Sequence, residues 1–112
     1  MTNATFDQIK DIITGSDVVL FMKGSPSAPQ CGFSGAVVQV LSALSVTYAS
    51  VDVLANGEIR EGIKAYSNWP TIPQLYVKGE FIGGADIVRE MFKTGELATL
   101  LGDKGIASPA LS

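Results

Sequence analysis

The sequence predicts an α/β domain with a mixed four-stranded sheet and helices on both faces, in the order α-β-α-β-α-β-β-α. Segments with apolar residues at helical spacing alternate along the chain with short apolar runs. The first strand, the following helix and the second strand favour a parallel pair with a right-handed crossover, and a late hairpin adds antiparallel strands. The chain has 112 residues, 46% of them apolar, which is enough for one domain with its own core.

The first half of the chain supplies the parallel pair. Residues 5–8 (Thr-Phe-Asp-Gln) are typical of a capping box, and Gly15 would end the helix that follows. Val18–Met22 is continuously apolar, as expected of a strand buried on both faces. Beyond a loop, three apolar residues share one helical face: Val37, Leu41 and Leu44. Residues 46–53 are rich in β-branched side chains and predict the second strand.

The second half supplies the hairpin and the remaining helices. A turn at residues 56–57 precedes a predicted helix at 58–66. Two short strands, 74–77 and 80–82, would flank a small turn. Four apolar residues then mark another helix: Ile87, Val88, Met91 and Phe92. A last short helix lies around residues 97–101, so we expect a single domain over 1–112 with its core at about 4–101 and a flexible tail at 102–112.

Composition and charge argue against several classes of function. The net charge is −3, and the eight Lys and Arg residues are scattered, which disfavours nucleic-acid binding. The chain has no His, so it can build neither a His-based triad nor a His-ligated metal site. The N-terminus lacks the pattern of a signal peptide, and the uncharged stretch 24–51 holds too many Gly, Pro and Ser for a membrane span. We therefore expect a cytoplasmic protein without nucleic-acid or membrane partners.

Cys31 is the only cysteine and the first candidate for chemistry. It precedes a predicted helix, where backbone N–H groups and the helix dipole favour a thiolate, and Lys23 could add a positive charge. The alternative is a buried structural thiol, a common fate of a free cysteine. Ser34 stands where a two-cysteine redox motif carries its second thiol. Any thiol exchange must therefore finish with an external thiol.

Several motifs resemble those of the monothiol glutaredoxins of the CGFS class. They are Phe21-Met22-Lys23-Gly24, Ala28-Pro29-Gln30, Cys31-Gly32-Phe33-Ser34, Trp69-Pro70-Thr71-Ile72-Pro73-Gln74-Leu75-Tyr76 and Gly83-Gly84-Ala85-Asp86. They occur in the order and at the spacing of that family, and the resemblance extends over roughly residues 6–101. It implies a thioredoxin-like fold, in agreement with the predicted element order.

The resemblance also implies a glutathione site. Lys23 and Arg60 match the positions that pair with the glycine carboxylate of glutathione. Ile72, before a cis Pro73, would hydrogen-bond the tripeptide through its backbone, like an added strand. Residues 85–86 would form the helix N-terminus that receives the γ-glutamyl end of glutathione.

Several of these residues have a plain structural alternative. Arg60 could be a solvated helix charge, Pro73 an ordinary trans proline at the start of a strand, and Asp86 a helix N-cap. Ala85, which we place in the glutathione site beside Asp86, departs from the family pattern because many members carry a second cysteine there. That departure leaves Cys31 as the only thiol.

The resemblance implies one leading function and one alternative. A 2Fe–2S cluster generally takes four thiolate ligands, and two Cys31 residues plus two glutathiones supply them. The leading function is therefore an iron–sulfur cluster carrier that holds the cluster in a homodimer, with a BolA-type protein and apo iron–sulfur proteins as partners. The alternative is a glutathione-dependent thiol–disulfide oxidoreductase that removes glutathione from proteins through Cys31.

Overall fold

The computed structural model describes residues 3–106, which form five helices and six strands. The helices are α1 (Asn3–Thr14), α2 (Gly32–Ala43), α3 (Gly57–Ser67), α4 (Ala85–Thr94) and α5 (Glu96–Asp103). The strands are β1 (Val18–Met22), β2 (Gly24–Ser25), β3 (Ala28–Pro29), β4 (Ala49–Asp52), β5 (Gln74–Val77) and β6 (Glu80–Gly83).

The predicted mixed four-stranded sheet is confirmed. Its strand order is β4-β1-β5-β6, and β1 runs parallel to β4 but antiparallel to β5. The β5–β6 hairpin is antiparallel and contains an irregularity between Leu75 and Tyr76. The parallel pair is joined through α2, as a crossover connection requires.

Two apolar clusters cover the two faces of this sheet. Alternate side chains of a strand point to opposite faces, so β1, which is buried along its whole length, contributes to both clusters. Leu20 packs on the face covered by α2 and α4, together with Leu41 and Val88. Phe21 packs on the other face with Ile9 of α1 and Ile63 of α3. Helices therefore lie on both faces, as predicted.

A small hairpin, β2–β3, stands where the sequence predicted only a loop. Gly24 adopts a φ of 87°, and a Cβ there would lie 2.6 Å from the Ala28 carbonyl oxygen, so only glycine fits. Its N–H donates to Asp52 Oδ1 at 3.0 Å, which ties the hairpin to the end of β4. The hairpin returns the chain to the start of α2.

Several predicted boundaries shift. The capping box at residues 5–8 is wrong, because α1 already begins at Asn3 and Thr5 is buried in its first turn. The second strand is shorter than predicted, since Val46 is in the core but outside the ladder. At the other end, Ile106 packs into the core beyond the predicted end at residue 101. Residues 107–112 of the predicted tail lie outside the described residues.

Candidate functional site

Cys31 is the N-cap residue of α2. Its backbone is extended, with φ −154° and ψ 135°, and its carbonyl accepts the first helical hydrogen bond from Gly35 N–H at 2.9 Å. The thiol is free and partly exposed. The loop just before it is closed by Gln30 N–H, which donates to the Lys23 carbonyl at 2.9 Å. The end of β1 and the start of α2 are thus adjacent, and this places Lys23 beside the thiol.

The surroundings of Cys31 favour its thiolate. Its pKa is lowered chiefly by the backbone N–H of Ser34, while partial burial acts in the opposite direction. The N–H of Phe33, the charge of Lys23 and the Ser34 hydroxyl lower the pKa further. The effects of the N–H groups and of Lys23 are those expected from the sequence, whereas the effect of the Ser34 hydroxyl was not expected. The structural alternative of a buried, inert thiol is not what the fold shows.

Ser34 has a second role that the sequence did not reveal. It is fully buried, and its Oγ accepts a hydrogen bond from the Lys23 backbone N–H at 3.1 Å. This bond links the residue that follows β1 to the first turn of α2. Ser34 therefore fixes the relative position of Lys23 and Cys31 as well as replacing a second thiol.

A groove with a cationic end begins at Cys31. A cavity of about 270 Å³ lies beside the thiol and is lined by Lys23, Cys31, Phe33, Arg60, Lys64, Pro70, Thr71 and Ile72. Three of these side chains are cationic, and one of them, Lys64, pairs with Glu61 at 3.0 Å. Lys64 was missed in the sequence. It lies four residues after Arg60 on α3, so helical spacing could have placed both cations on one face.

The other end of the groove is the N-terminus of α4. A second cavity, of about 200 Å³, shares three lining residues with the first, namely Phe33, Thr71 and Ile72. It extends to Pro73 and to residues 84–86. The N-cap is Gly84, so the alternative of Asp86 as the N-cap is wrong. Asp86 lies instead in the first turn, exposed at the cavity.

The wall between the two ends is the segment that follows α3. The Ile72–Pro73 peptide bond is cis, as the resemblance implies. The Trp69 ring packs against Phe81, with ring centroids 5.9 Å apart. It also lines the second cavity. A Cβ on Gly84 would come within 3.1 Å of Trp69 Nε1, so this close approach favours glycine.

All the site residues predicted from the sequence line this groove. Lys23, Cys31 and Arg60 belong to the first cavity, and Ile72 to both. Pro73 and residues 85–86 belong to the second. Within residues 3–106 no three Cys, His, Asp or Glu side chains are grouped so that they could hold a metal ion. No helix in the same stretch is long and apolar enough to span a membrane.

Comparison with known proteins identifies the family. The glutaredoxin family model matches residues 18–82. An uncharacterized monothiol glutaredoxin of Synechocystis is 52% identical over 101 residues, which cover 90% of this chain and 94% of that protein. This chain belongs to the monothiol glutaredoxins. The thioredoxin-like fold implied by the resemblance is confirmed with it.

Solved structures show the same glutaredoxin fold. A monomeric truncated mutant of Trypanosoma brucei 1-C-Grx1 is 48% identical, with a TM-score of 0.85 over 92% of this chain and 94% of that one. A buckwheat glutaredoxin–glutathione complex is 22% identical, with a TM-score of 0.81 over 93% of this chain and 94% of that one. At that identity the buckwheat structure shows the shared fold alone.

Proposed function

We propose that this glutaredoxin binds glutathione in the groove beside Cys31 and carries a 2Fe–2S cluster between two copies of itself. One observation carries the proposal. The only thiol of the chain, with a lowered pKa, borders a groove that has cations at one end and an open helix N-terminus at the other. The cytoplasm, where thiols stay reduced, suits such a single unpaired cysteine.

Glutathione fits the two ends of the groove. Its glycine carboxylate would face Lys23 and Arg60, with Lys64 nearby as a third cation. Its γ-glutamyl carboxylate would meet the N–H groups at the start of α4, and its amino group would pair with Asp86. The Ile72 backbone lies between the two ends, where it can bond the middle of the tripeptide. A buckwheat glutaredoxin of the same fold is known in complex with glutathione, which supports the choice of this ligand.

The donor set of the chain fits a shared cluster. A 2Fe–2S cluster takes four thiolates, and one chain offers only Cys31. Two chains and two glutathiones complete the set, which makes the cluster-bound form a homodimer. Phe33, 60% exposed beside the thiol, leaves an apolar surface for the second copy. Because half the ligands are exchangeable small molecules, the cluster is cargo that can pass to apo iron–sulfur proteins, with a BolA-type protein as a further partner.

Anaerobic reconstitution with iron, sulfide and glutathione tests this function. Visible absorption and size-exclusion chromatography should together show a coloured dimer with one cluster per two chains. The colour and the dimer should be lost when glutathione is omitted or in Cys31→Ser. Lys23→Met should weaken reconstitution, whereas Lys10→Met on the exposed surface of α1 should not. A colourless monomer under all conditions would contradict the carrier function.

The lowered pKa of Cys31 also favours a second candidate, a glutathione-dependent oxidoreductase. The Cys31 thiolate would attack the glutathione sulfur of a protein–glutathione disulfide, releasing the protein thiolate, which takes up a proton. A second glutathione thiolate would then attack the sulfur bound to Cys31 and release glutathione disulfide with the Cys31 thiolate. Fast turnover of a glutathionylated protein by a monomer that forms no coloured dimer would favour this activity over the carrier.

A further inference from the structure

Gln74, the first residue of β5, is a polar side chain in the core. It is fully buried, and its Nε2 donates to the carbonyl oxygens of Trp69 and Thr71, each at 3.2 Å. Its Oε1 accepts from the Tyr76 hydroxyl at 3.2 Å. A carbonyl oxygen can only accept, so the amide nitrogen must be the atom that faces the two carbonyls.

These bonds determine how the groove wall is oriented. The Thr71–Ile72 peptide is trans and planar, so its C=O and N–H point in opposite directions. Because the Thr71 C=O points to the buried Gln74, the Ile72 N–H points away from that side chain. Thr71 and Ile72 are the wall residues common to both cavities.

We propose that Gln74 is a positioning residue, which holds the Thr71–Ile72 peptide so that the Ile72 N–H is presented to glutathione. The inference rests on the proposed function in that it takes glutathione as the ligand of the groove. Gln74 itself does not line either cavity. It acts through the backbone of the wall.

Tyr76 holds the Gln74 side chain in this orientation through a hydrogen bond. Burial raises the pKa of Tyr76 to about 12, so its hydroxyl stays protonated and keeps donating to Gln74 Oε1. With both of its amide hydrogens and its oxygen engaged, the Gln74 side chain has one satisfied orientation. Removal of the amide would leave the carbonyls of Trp69 and Thr71 without these donors.

Isothermal titration of glutathione into three variants tests the role of Gln74. Gln74→Met keeps the length of the side chain but removes both donors, and it should weaken binding roughly tenfold, the equivalent of one lost hydrogen bond of ordinary strength. Val77→Ala, on the same strand and buried away from the groove, is the control for lost stability. It should lower the melting temperature while the Kd stays within about twofold of the wild type.

Gln74→Glu gives a readout that a purely structural role would not change. The carboxylate has no donor, whereas the protonated acid can donate to one carbonyl. The loss of affinity in Gln74→Glu relative to the wild type should therefore be larger at about pH 8 than at about pH 5.5. A loss that does not depend on pH, or a Gln74→Met variant that binds as tightly as the wild type, would overturn the inference.

Two further measurements separate this inference from the proposed function. If the wild type binds no glutathione, the proposed function fails. The NMR resonance of the Ile72 amide then tests the role of Gln74 separately. It should shift in Gln74→Met, and an unchanged resonance overturns the role. If Gln74→Met does not fold, Tyr76→Phe replaces it. Loss of that hydroxyl should shift the same resonance and weaken binding about two- to threefold, a smaller effect than loss of the amide.

Discussion

The N-termini of α2 and α3 share an extended backbone at the N-cap but differ in what the capping side chain does. Asn56 caps α3, since its Oδ1 accepts from the N–H groups of Glu58 and Ile59 at 3.1 and 3.2 Å. Cys31, at the same position of α2, makes no side-chain capping hydrogen bond, and the first turn of α2 has no acidic residue. One helix end is closed by its own side chain, and the other is left open.

The difference separates an end built for stability from an end available for chemistry. The first N–H groups of a helix need a partner, and a capping oxygen supplies one. At α2 the same kind of N–H group, from Ser34 and Phe33, lowers the pKa of the Cys31 thiol instead. The N-terminus of α4 is also open, because its N-cap is Gly84. Both of these open ends border the groove.

Cys31→Ser should give the largest effect, because it closes the open end and removes the thiol together. All reaction with thiol reagents should be lost, and the proposed cluster assembly with it. The Ser hydroxyl is a better N-cap, so the free energy of unfolding should rise by about 0.5–1 kcal/mol. Urea denaturation measures that gain, and Cys31→Ala, which cannot cap, should not show it. A destabilised Cys31→Ser protein would contradict the view that α2 gives up stability for its thiol.

Ser34→Ala should come next, since it disturbs the open end without touching the thiol. The Lys23 N–H would lose its partner, at a cost of about 1–3 kcal/mol in unfolding free energy. The pKa of Cys31 should rise, because the hydroxyl that helps to lower it is gone. Rates of alkylation measured against pH report that pKa. Ser42→Ala, at an exposed position of α2, should change neither quantity.

Much of this contrast could be predicted from the sequence, because it depends on local pattern. The continuous apolar run of β1 and the helical spacing of Leu41 and its neighbours give the elements around the site. The place of Cys31 directly before a helix predicts a thiol whose pKa is lowered, and the structure agrees. Family motifs added Lys23, Arg60 and the α4 end, which lie far apart in sequence but line one groove.

The rest depends on contacts that no local pattern contains. Asp86 is a residue type that often forms an N-cap. However, β6 ends at Gly83, and the next residue, Gly84, has the extended backbone of an N-cap, so Gly84 takes that position. In the sequence Gln74 looks like an ordinary strand residue. Its Nε2 donates to backbone carbonyls, which every residue has, so no residue type in the sequence marks these partners. The β2–β3 hairpin is held by Asp52, which accepts a hydrogen bond from Gly24 N–H. Asp52 is distant in sequence from the hairpin, so no local turn motif contains it.

Asn56→Ala tests the comparison at the capped N-terminus of α3. Loss of the cap should lower the free energy of unfolding by about 1 kcal/mol. The pKa of Cys31 should not change, because none of its causes involves α3. Asn56→Asp keeps a capping oxygen and should retain most of the stability. A shifted thiol pKa in Asn56→Ala would show that the two helix ends are coupled.

Lys23→Met should have the smallest effect. It measures how much of the lowered pKa of Cys31 is due to the charge of Lys23. The charge of Lys23 lowers the Cys31 pKa, but it ranks below the backbone N–H groups of Ser34 and Phe33 among the causes. The variant should therefore raise that pKa and leave it below the value in the unfolded chain. Lys23→Arg keeps the charge and should leave the pKa close to that of the wild type.

Salt and pH separate the charge of Lys23 from the fixed dipoles of α2. Lys23 is partly exposed, and added salt screens such a charge. Salt should therefore raise the pKa of Cys31 in the wild type toward its value in Lys23→Met and leave the variant nearly unchanged. Since the folded pKa is lowered, the thiolate stabilises the fold above the unfolded pKa, and this stabilisation is lost as pH falls through the folded pKa. The variant should lose it at a higher pH than the wild type. Equal pKa values of Cys31 in the two proteins would assign the whole effect to the helix end, and only the proposed glutathione contact would be left for Lys23.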